Sequence, residues 1–167
     1  YAGANKTRFD LVRYGNVVGS RGSVVPVFLR QRGEGRLTVT DPQMTRFWIT
    51  MDQAMDLVLS ALRDGSGGQV FVPKIPACSL AVLAEAIAPG VPVEVTGIRP
   101  GEKIHETLIT IDEARCVSER EGYYVINPSF PWWGEPRGAK GARVPPNFSY
   151  SSNEAEQLGV GQVRELL

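Results

Sequence analysis

Apolar residues recur along this chain in two patterns, one with the spacing of a helix and one in short runs of strand length. Segments of the two kinds alternate along the sequence. Between Thr50 and Gly65 the spacing is helical, so the pattern predicts an amphipathic helix that ends at Asp64-Gly65. Thr50 and Gln53 have the spacing of a capping box at its start. The apolar face predicted for this helix consists of Met51, Ala54, Met55, Val58, Ala61 and Leu62. Strand-length apolar runs flank the helix at residues 8–14 and 69–72, and the first is predicted to be buried.

The same two patterns predict the other elements. Further strands are predicted at residues 37–40, 91–95 and 123–126. Helices are predicted to begin after the N-cap candidates Ser23 and Ser79 and at the capping-box candidate Thr110-Ile-Asp-Glu113. Other short helices are predicted at residues 102–107, 151–157 and 162–167. Strands separated by helices favour the α/β class. We expect an α/β part over residues 1–126, followed at 127–167 by an extended tail with short terminal helices.

One motif expected of a nucleotide-binding α/β domain is missing. No G-x-G-x-x-G sequence occurs, and Gly65-Ser66-Gly67-Gly68 follows a predicted helix and precedes a predicted strand, so it is predicted to be a turn. An α/β chain without this loop is typical of half of a doubly wound domain. The first residues lack an initiator Met and lead directly into a strand, which suggests that material before residue 1 is missing.

Charge and cysteine content narrow the classes of function. The 18 basic and 18 acidic residues cancel, which gives no indication of a nucleic acid or membrane partner. An anionic ligand would therefore need a few precisely placed cations. Cys78 and Cys116 fit no metal-ligand spacing and are expected to be thiols of a reducing cytoplasm. No apolar run approaches the ~20 residues that cross a bilayer.

Several stretches carry a resemblance to a known family. They are residues 13–28 (RYGNVVGSRGSVVPVF), 44–50 (MTRFWIT), 70–76 (VFVPKIP), 97–106 (GIRPGEKIHE) and 146–152 (PNFSYSS). Together they are similar to the inverting UDP-N-acetylglucosamine 4,6-dehydratases, polysaccharide-biosynthesis enzymes of the extended short-chain dehydrogenase superfamily. The resemblance runs along essentially the whole chain, but it covers only the C-terminal half of those enzymes.

This resemblance implies a fold, a cofactor and a reaction. NADP oxidises the sugar at C4, water leaves across C5 and C6, and hydride returns to C6 with inversion at C5. The family's Gly-rich loop and Tyr-x-x-x-Lys pair belong to its N-terminal half and are absent here, since Tyr1 is followed by Asn5 rather than Lys. We therefore expect a partial Rossmann-type α/β fold that binds a UDP-sugar, holds no NADP and is inactive without the missing N-terminal cofactor-binding half.

The resemblance also implies which residues contact the substrate. Asn16 follows a predicted strand, where its amide can bind a sugar or diphosphate oxygen; alternatively it is a turn residue with positive φ. Arg46 and Arg99 are the diphosphate candidates, because a guanidinium binds phosphate oxygens bidentately, although a surface salt bridge is the ordinary fate of an arginine. Glu102, three residues after Arg99, is expected to accept a hydrogen bond from a ribose hydroxyl.

Other contacts follow from the positions that match the family. Arg21, Ser23, Val24 and Val25 are expected to close over the nucleotide. Leu37 and Val39 would flank the uracil, and Thr38 or Thr40 would form a hydrogen bond with its edge. Val17 and Val18 would lie near the nicotinamide of the complete enzyme. His105 is the only histidine of the chain, and a structural role is favoured over a catalytic one. The Trp132-Trp133 pair is interpreted as packing rather than as a sugar platform.

Three functions remain open at this point. The chain is either the substrate-binding part of an inverting dehydratase, a non-catalytic nucleotide-sugar-binding or interaction module, or part of a 4-epimerase or a retaining dehydratase of the same superfamily. A module would need its open sheet edge covered, so a homo-oligomer is expected.

Overall fold

A computed structural model describes residues 7–129 and 141–167. The chain is mixed α/β, which confirms the predicted class. It forms two compact units that are interleaved along the sequence, so their bounds differ from the predicted division at residue 126. The first unit comprises Tyr1–Tyr14, Asp52–Lys74 and Thr107–Tyr150, and the second comprises Gly15–Met51, Ile75–Glu106 and Ser151–Leu167.

The elements of the described residues follow in chain order. They are β1 (Leu11–Val12), β2 (Asn16–Val17), α1 (Val24–Gly33), β3 (Leu37–Val39), β4 (Thr45–Ile49), α2 (Met51–Asp64), β5 (Val70–Pro73), β6 (Ala77–Ser79), α3 (Leu80–Ile87), β7 (Val93–Val95), β8 (Thr107–Ile109), a 3-10 helix (Ile111–Cys116), β9 (Val117–Glu119), β10 (Tyr123–Ile126), β11 (Ala142–Arg143), β12 (Tyr150–Ser151) and α4 (Val160–Leu166). None of these helices is both long and apolar enough to cross a membrane.

The first unit is built on a sheet of order β1-β5-β10-β9-β11. β1 runs parallel to β5, and the remaining neighbours are antiparallel. α2 packs on this sheet through a narrow stripe of Ala54, Leu57 and Ala61. Leu57 and Ala61 form a buried cluster with Phe71 and Val125, so the centre of the sheet and one side of the helix make the core of this unit.

Two predictions about burial in the first unit were wrong. Residues 8–14 were expected to be a buried strand, but β1 has only two residues, and Phe9 and Leu11 are 52% and 59% exposed. β1 is the edge strand of its sheet and has β5 as its neighbour on one side. The predicted face of α2 is also displaced, since Met55 and Leu62 are 52% and 71% exposed because the helix packs through the stripe beside them.

The second unit has a sheet of order β2-β4-β6 and a separate parallel pair, β3 with β7. Its core is a cluster to which α1, α3 and α4 all contribute, including Phe28, Leu83 and Val163, together with Leu37 from β3 and Trp48 from β4. β4 was not predicted, because four of its five residues are buried, and near-continuous burial hides the alternation of a strand.

The short elements were predicted less well than α1, α2 and α3. The capping box of Thr110 and Glu113 is present, and it begins a 3-10 helix. Residues 102–107 are not helical, because the carbonyl groups of Lys103 and Ile104 accept hydrogen bonds from Arg46 instead of from the amides of a following turn. The helix predicted at residues 151–157 is not formed, since Ser151 ends β12 and a turn follows it, whereas the last helix is confirmed as α4.

The structure describes the two cysteines and part of the predicted tail. Cys78 is buried and Cys116 half-buried, both as free thiols, and burial raises the pKa of Cys78 to about 11. Trp132 and Trp133 lie outside the described residues. The predicted extended tail contains β11 and β12 where it is described.

Candidate functional site

The second unit contains a cavity of about 690 Å³. β2, β3, β4, the beginning of α1 and the turn of Arg99 and Glu102 all contribute to its wall. Of the residues predicted to bind substrate or cofactor, the cavity brings together Asn16, Val17, Arg21, Ser23, Val24, Val39, Arg46, Arg99 and Glu102. Its volume is within the range of roughly 300–1,000 Å³ that is usual for small-molecule sites.

Asn16 reaches the cavity because Gly15 lets β2 approach β4 closely. A Cβ at Gly15 would overlap the Cβ and the carbonyl oxygen of Phe47, so a side chain cannot be accommodated there. Asn16 then lies beside Trp48 in parallel pairing. No non-glycine residue of the described chain has positive φ, so Asn16 is not the turn residue considered above. Its side-chain amide has no hydrogen-bond partner within the described ranges, and it is half-buried.

The first turn of α1 forms another side of the cavity. Ser23 occupies the N-cap position with extended backbone, but its side chain makes no capping hydrogen bond. Its Oγ is buried and has no partner among the residues that the structure describes. The amide groups of a first helical turn have no intrahelical acceptor, and the helix dipole favours negative charge there. This end of α1 is therefore suited to an anion.

Arg99 and Glu102 form a closed turn at the rim. Glu102 Oε2 accepts a hydrogen bond from the Arg99 amide at 3.0 Å, and the Glu102 amide donates to the Arg99 carbonyl at 3.0 Å. The Arg99 guanidinium has no protein partner in residues 7–129 and 141–167, and neither does that of Arg21. Both side chains are exposed and line the cavity. Among the residues that the structure describes, no anion neutralises these two cations of the cavity.

Arg46 lines the same cavity but is placed differently. Its side chain is 17% exposed. Nη1 donates to the carbonyl groups of Thr45 and Ile104 at 2.7 and 3.0 Å, and Nη2 to the carbonyl of Lys103 at 3.0 Å and to Met44 Sδ at 3.5 Å. Nε lies 3.5 Å from Glu106 Oε1. In this arrangement, three N–H groups of Arg46 are held by backbone carbonyl oxygens, while Nε and the second N–H of Nη2 make only longer contacts.

The side chains of strand β3 differ in whether they reach the cavity. Val39 lines the cavity, whereas Leu37 is fully buried in the core and does not reach it. Thr38 and Thr40 also line the cavity. Thr38 Oγ1 accepts a hydrogen bond from Gln31 Nε2 at 2.7 Å, which leaves its hydroxyl proton for another acceptor.

Two more predicted contacts are displaced toward the core. Val25 is 6% exposed and belongs to the core cluster, because it lies on the inner side of α1. Val18 follows β2 and packs against the same cluster, while Val17 lines the cavity.

Sequence reasoning missed the apolar lining of the cavity. Val27 and Phe28 of α1, Met44 and Trp48 next to Arg46, and Leu80 at the start of α3 all contribute to it. The helical spacing of Val24, Val27 and Phe28 was the available signal.

His105 does not line the cavity. Its Nδ1 lies 2.8 Å from Thr45 Oγ1, which lies 2.6 Å from Ser152 Oγ. The Ser152 hydroxyl donates to the Thr45 carbonyl at 3.1 Å and accepts from the Glu106 amide at 2.9 Å. This network supports the structural role favoured for His105 over the catalytic one. Within the described residues, no group of His, Cys, Asp and Glu could hold a metal ion.

The fold and the cavity define the class of protein. This is a mixed α/β part of an extended short-chain dehydrogenase. A solved structure, the X-ray structure of Pen from Bacillus thuringiensis, superposes with a TM-score of 0.86 and 34% identity, over 98% of this chain and 51% of that one. The family model described as polysaccharide biosynthesis protein matches residues 1–128, and the chain belongs to that family.

The curated relatives confirm the resemblance drawn from the sequence motifs. An inverting UDP-N-acetylglucosamine 4,6-dehydratase of Campylobacter jejuni serotype O:2 is 45% identical over 161 residues, which are 91% of this chain and 48% of that enzyme. A UDP-glucose 4-epimerase of Rickettsia bellii is 36% identical over 98% of this chain and 50% of its own length. The chain spans about half the length of the curated relatives it matches.

Proposed function

We propose that the second unit binds the UDP-sugar substrate of an inverting UDP-N-acetylglucosamine 4,6-dehydratase, which supplies a 4-keto-6-deoxy sugar to surface polysaccharides or flagellin glycans in the cytoplasm. One observation carries the proposal. The cavity surrounds an apolar floor with unpaired polar groups, namely Asn16, the guanidinium groups of Arg21 and Arg99, and the first turn of α1. Such a set is complementary to a diphosphate joined to a base and a sugar.

The diphosphate would lie between the two unpaired arginines and the beginning of α1. Ser23 Oγ and the amides of Val24 and Val25 supply neutral donors there, since Pro26 has no N–H, while Arg21 and Arg99 supply charge. The Asn16 amide can donate to a sugar or phosphate oxygen. One oxygen of Glu102 already accepts from the Arg99 amide, and the other can accept from a ribose hydroxyl.

The uracil would lie against the apolar side of the cavity. Val24 and Val39 provide flat contact there, and the Thr38 hydroxyl can donate to an acceptor on the edge of the base. Leu37 supports this wall from the core rather than touching the ligand. Val17 is proposed to lie toward the nicotinamide of the complete enzyme, with Val18 packed behind it.

The described residues do not fit the cofactor NADP. The Gly65–Gly68 turn is the part of the chain most like a phosphate loop, but its donors are used internally. Asp10 Oδ1 accepts from the amides of Gly67 and Gln69, and Gln69 Oε1 accepts from that of Ser66. We therefore propose that a separate N-terminal half binds NADP and supplies the acid–base groups. This chain alone is proposed to be inactive.

The first unit offers a surface for that partner. β1 is an edge strand, and Phe9, Leu11, Met55 and Leu62 are all more than half exposed. An apolar surface of this kind favours a protein partner. We propose the cofactor-binding half as its occupant, and a homo-oligomer as the alternative for the isolated chain. Sedimentation of the isolated chain as a monomer at micromolar concentration would exclude that alternative.

Calorimetric titration tests the proposal. UDP and UDP-N-acetylglucosamine are expected to bind the chain saturably, and Arg99→Met is expected to weaken both by about tenfold or more. Arg63→Met is the matched control, because Arg63 is an exposed arginine of the first unit that pairs with Asp64. The absence of heat at millimolar ligand would refute the proposed function. Turnover of UDP-N-acetylglucosamine with added NADP would refute the proposed inactivity.

An epimerase is the second candidate, since UDP-glucose 4-epimerases are 36% identical over almost the whole chain. The two candidates differ in the sugar they accept. Tighter binding of UDP-N-acetylglucosamine than of UDP-glucose would favour the dehydratase, and the reverse order would favour the epimerase. Equal affinities that depend on UDP alone would instead favour a non-catalytic binding module.

A further inference from the structure

A polar contact behind the wall of the cavity joins the end of α1 to β3. Gln31 Oε1 accepts a hydrogen bond from the Thr38 amide at 3.1 Å, and Gln31 Nε2 donates to Thr38 Oγ1 at 2.7 Å. Thr38 lines the cavity, whereas Gln31 is not among the described residues that do so. We propose that Gln31 is a positioning residue that keeps the Thr38 hydroxyl proton available to the base and thereby favours uracil over cytosine. This inference rests on the proposed function, which supplies the nucleotide.

The two hydrogen bonds fix the orientation of the Gln31 amide group. A backbone N–H can only donate, so the atom that faces the Thr38 amide is the carbonyl oxygen Oε1. The other end of the group is then the NH2, which has protons and does not accept. The Thr38 hydroxyl must therefore accept from Nε2, and it keeps its own proton for a different partner.

The packing around this contact holds the two side chains opposite each other. Phe28, one turn before Gln31 in α1, is 1% exposed, and Leu37, next to Thr38 in β3, is fully buried. Both belong to the same core cluster. At the end of α1, the Gln31 carbonyl accepts a hydrogen bond from the Glu34 amide at 3.0 Å. The core thus fixes α1 against β3, and the contact between Gln31 and Thr38 is in place before a ligand binds.

Thr40, two residues further along the same wall, has the opposite arrangement. Its Oγ1 donates to Met44 Sδ at 3.2 Å, which leaves lone pairs rather than a proton for a ligand. Thr40 also lines the cavity, so the wall offers a donor at Thr38 and an acceptor at Thr40. Uracil has the complementary pair, because its O4 accepts and its N3–H donates. Cytosine has the reverse pair, an amino group at C4 and a lone pair at N3.

Gln31 also strengthens the Thr38 hydroxyl as a donor. A hydroxyl that accepts one hydrogen bond donates more strongly, because successive hydrogen bonds polarise one another. The second lone pair of Thr38 Oγ1 can still accept from an amino group, so the preference for uracil is one of degree. In Gln31→Glu both side-chain oxygens accept, one from the Thr38 amide and one from the Thr38 hydroxyl. The substitution therefore turns this hydroxyl into an acceptor with almost no change in shape.

Calorimetric titration with UDP and CDP tests the inference, because these ligands share the ribose and the diphosphate and differ only in the base. The wild type is expected to bind UDP about tenfold more tightly than CDP. Gln31→Glu adds a negative charge that weakens both ligands, but it should also lower the ratio of their affinities about fivefold or more. Thr38→Val is expected to lower the ratio as well. Adding Gln31→Glu to Thr38→Val should then lower it no further, because the hydroxyl through which Gln31 acts is gone.

Gln43→Glu is the matched control, because Gln43 is exposed and is not among the described residues that line the cavity. It should leave the ratio at the wild-type value. A change below about twofold in Gln31→Glu, or an equal change in Gln43→Glu, would overturn the inference and leave the proposed function standing. Equal affinities of the wild type for UDP and CDP would do the same. If the wild type binds neither ligand, the proposed function fails and the inference fails with it. If Thr38→Val does not fold, the Gln31 and Gln43 variants still decide the result.

Discussion

The two units leave different kinds of groups unsatisfied at their surfaces. The first unit exposes apolar side chains on β1 and α2, including Leu11 and Leu62. The second unit also exposes apolar side chains, such as Val95, but it differs in gathering unpaired polar or cationic groups of the described residues, such as Asn16 and Arg99, in a cavity. Exposed apolar surface is stabilised by contact with protein, whereas an unpaired guanidinium is stabilised by an anion. This difference motivates the proposal that the first unit contacts a protein partner and the second binds a small anionic ligand.

The largest expected effect is on the core of the first unit. Phe71 is completely buried between α2 and the sheet, so Phe71→Ala is expected to lower the free energy of unfolding by about 3–5 kcal/mol. Leu62→Ala, on the outer side of α2, is expected to cost less than about 0.5 kcal/mol. Urea denaturation measures both. A large cost for Leu62→Ala would show that this side of α2 is covered in solution. The first unit would then not expose this apolar surface, and its contrast with the second unit would no longer hold.

The second largest effect concerns the close approach of β2 and β4 in the second unit. Gly15→Ala places a methyl group against the backbone and Cβ of Phe47, and it is expected to destabilise the protein by about 1–3 kcal/mol. Because Asn16 follows directly, the substitution should also weaken UDP binding. Gly33→Ala, a glycine with open space around its Cα, is the control and should leave affinity unchanged. Equal stability of the two variants would contradict the packing described here.

Much of this comparison was predictable from the sequence, and the exceptions have physical reasons. Helices α1, α2 and α3 were predicted because long periodic patterns and turn residues agree there. The exposure of Phe9 and Leu11 was not predictable, since an edge strand and a central strand share the same composition. For Asn16, Arg99 and Glu102, the resemblance to the family indicated residues that the structure places at the cavity. Arg46 looked identical to Arg99 in sequence, because its contacts with residues 103–106 are long-range.

A smaller effect distinguishes two half-buried carboxylates, one in each unit. Burial would raise the pKa of Glu113 in the first unit, but hydrogen bonds from the Thr110 amide and Arg13 outweigh it and lower that pKa. Its stabilising contribution is thus present above its unfolded pKa and is lost as the pH falls through the folded value. Burial raises the pKa of Glu106 in the second unit, so its contribution is present below its unfolded pKa and is lost as the pH rises through the folded value.

The two carboxylates should therefore respond oppositely to acid. Glu113→Gln is expected to cost roughly 1–3 kcal/mol at pH 7 and progressively less below pH ~4. For Glu106→Gln the free energy of unfolding should improve relative to the wild type as the pH rises from ~4 to 7, because the variant has no carboxylate to ionise. Urea denaturation at a series of pH values measures both. Parallel pH profiles for the two variants would contradict the assignment.

The smallest expected effect tests whether the cavity recognises charge. Arg21 and Arg99 are exposed, so their attraction for a diphosphate is screened by salt, whereas apolar contact with the uracil is not. Raising the ionic strength from about 0.05 to 0.5 M is expected to weaken UDP binding several-fold while leaving uridine binding nearly unchanged. In Arg21→Met the salt dependence for UDP should decrease, because one of the two unpaired cations is gone. Equal salt dependence for UDP and uridine would mean that the unpaired cations do not contact the phosphates. The contrast between the two units would then depend only on the exposed apolar side chains of the first unit.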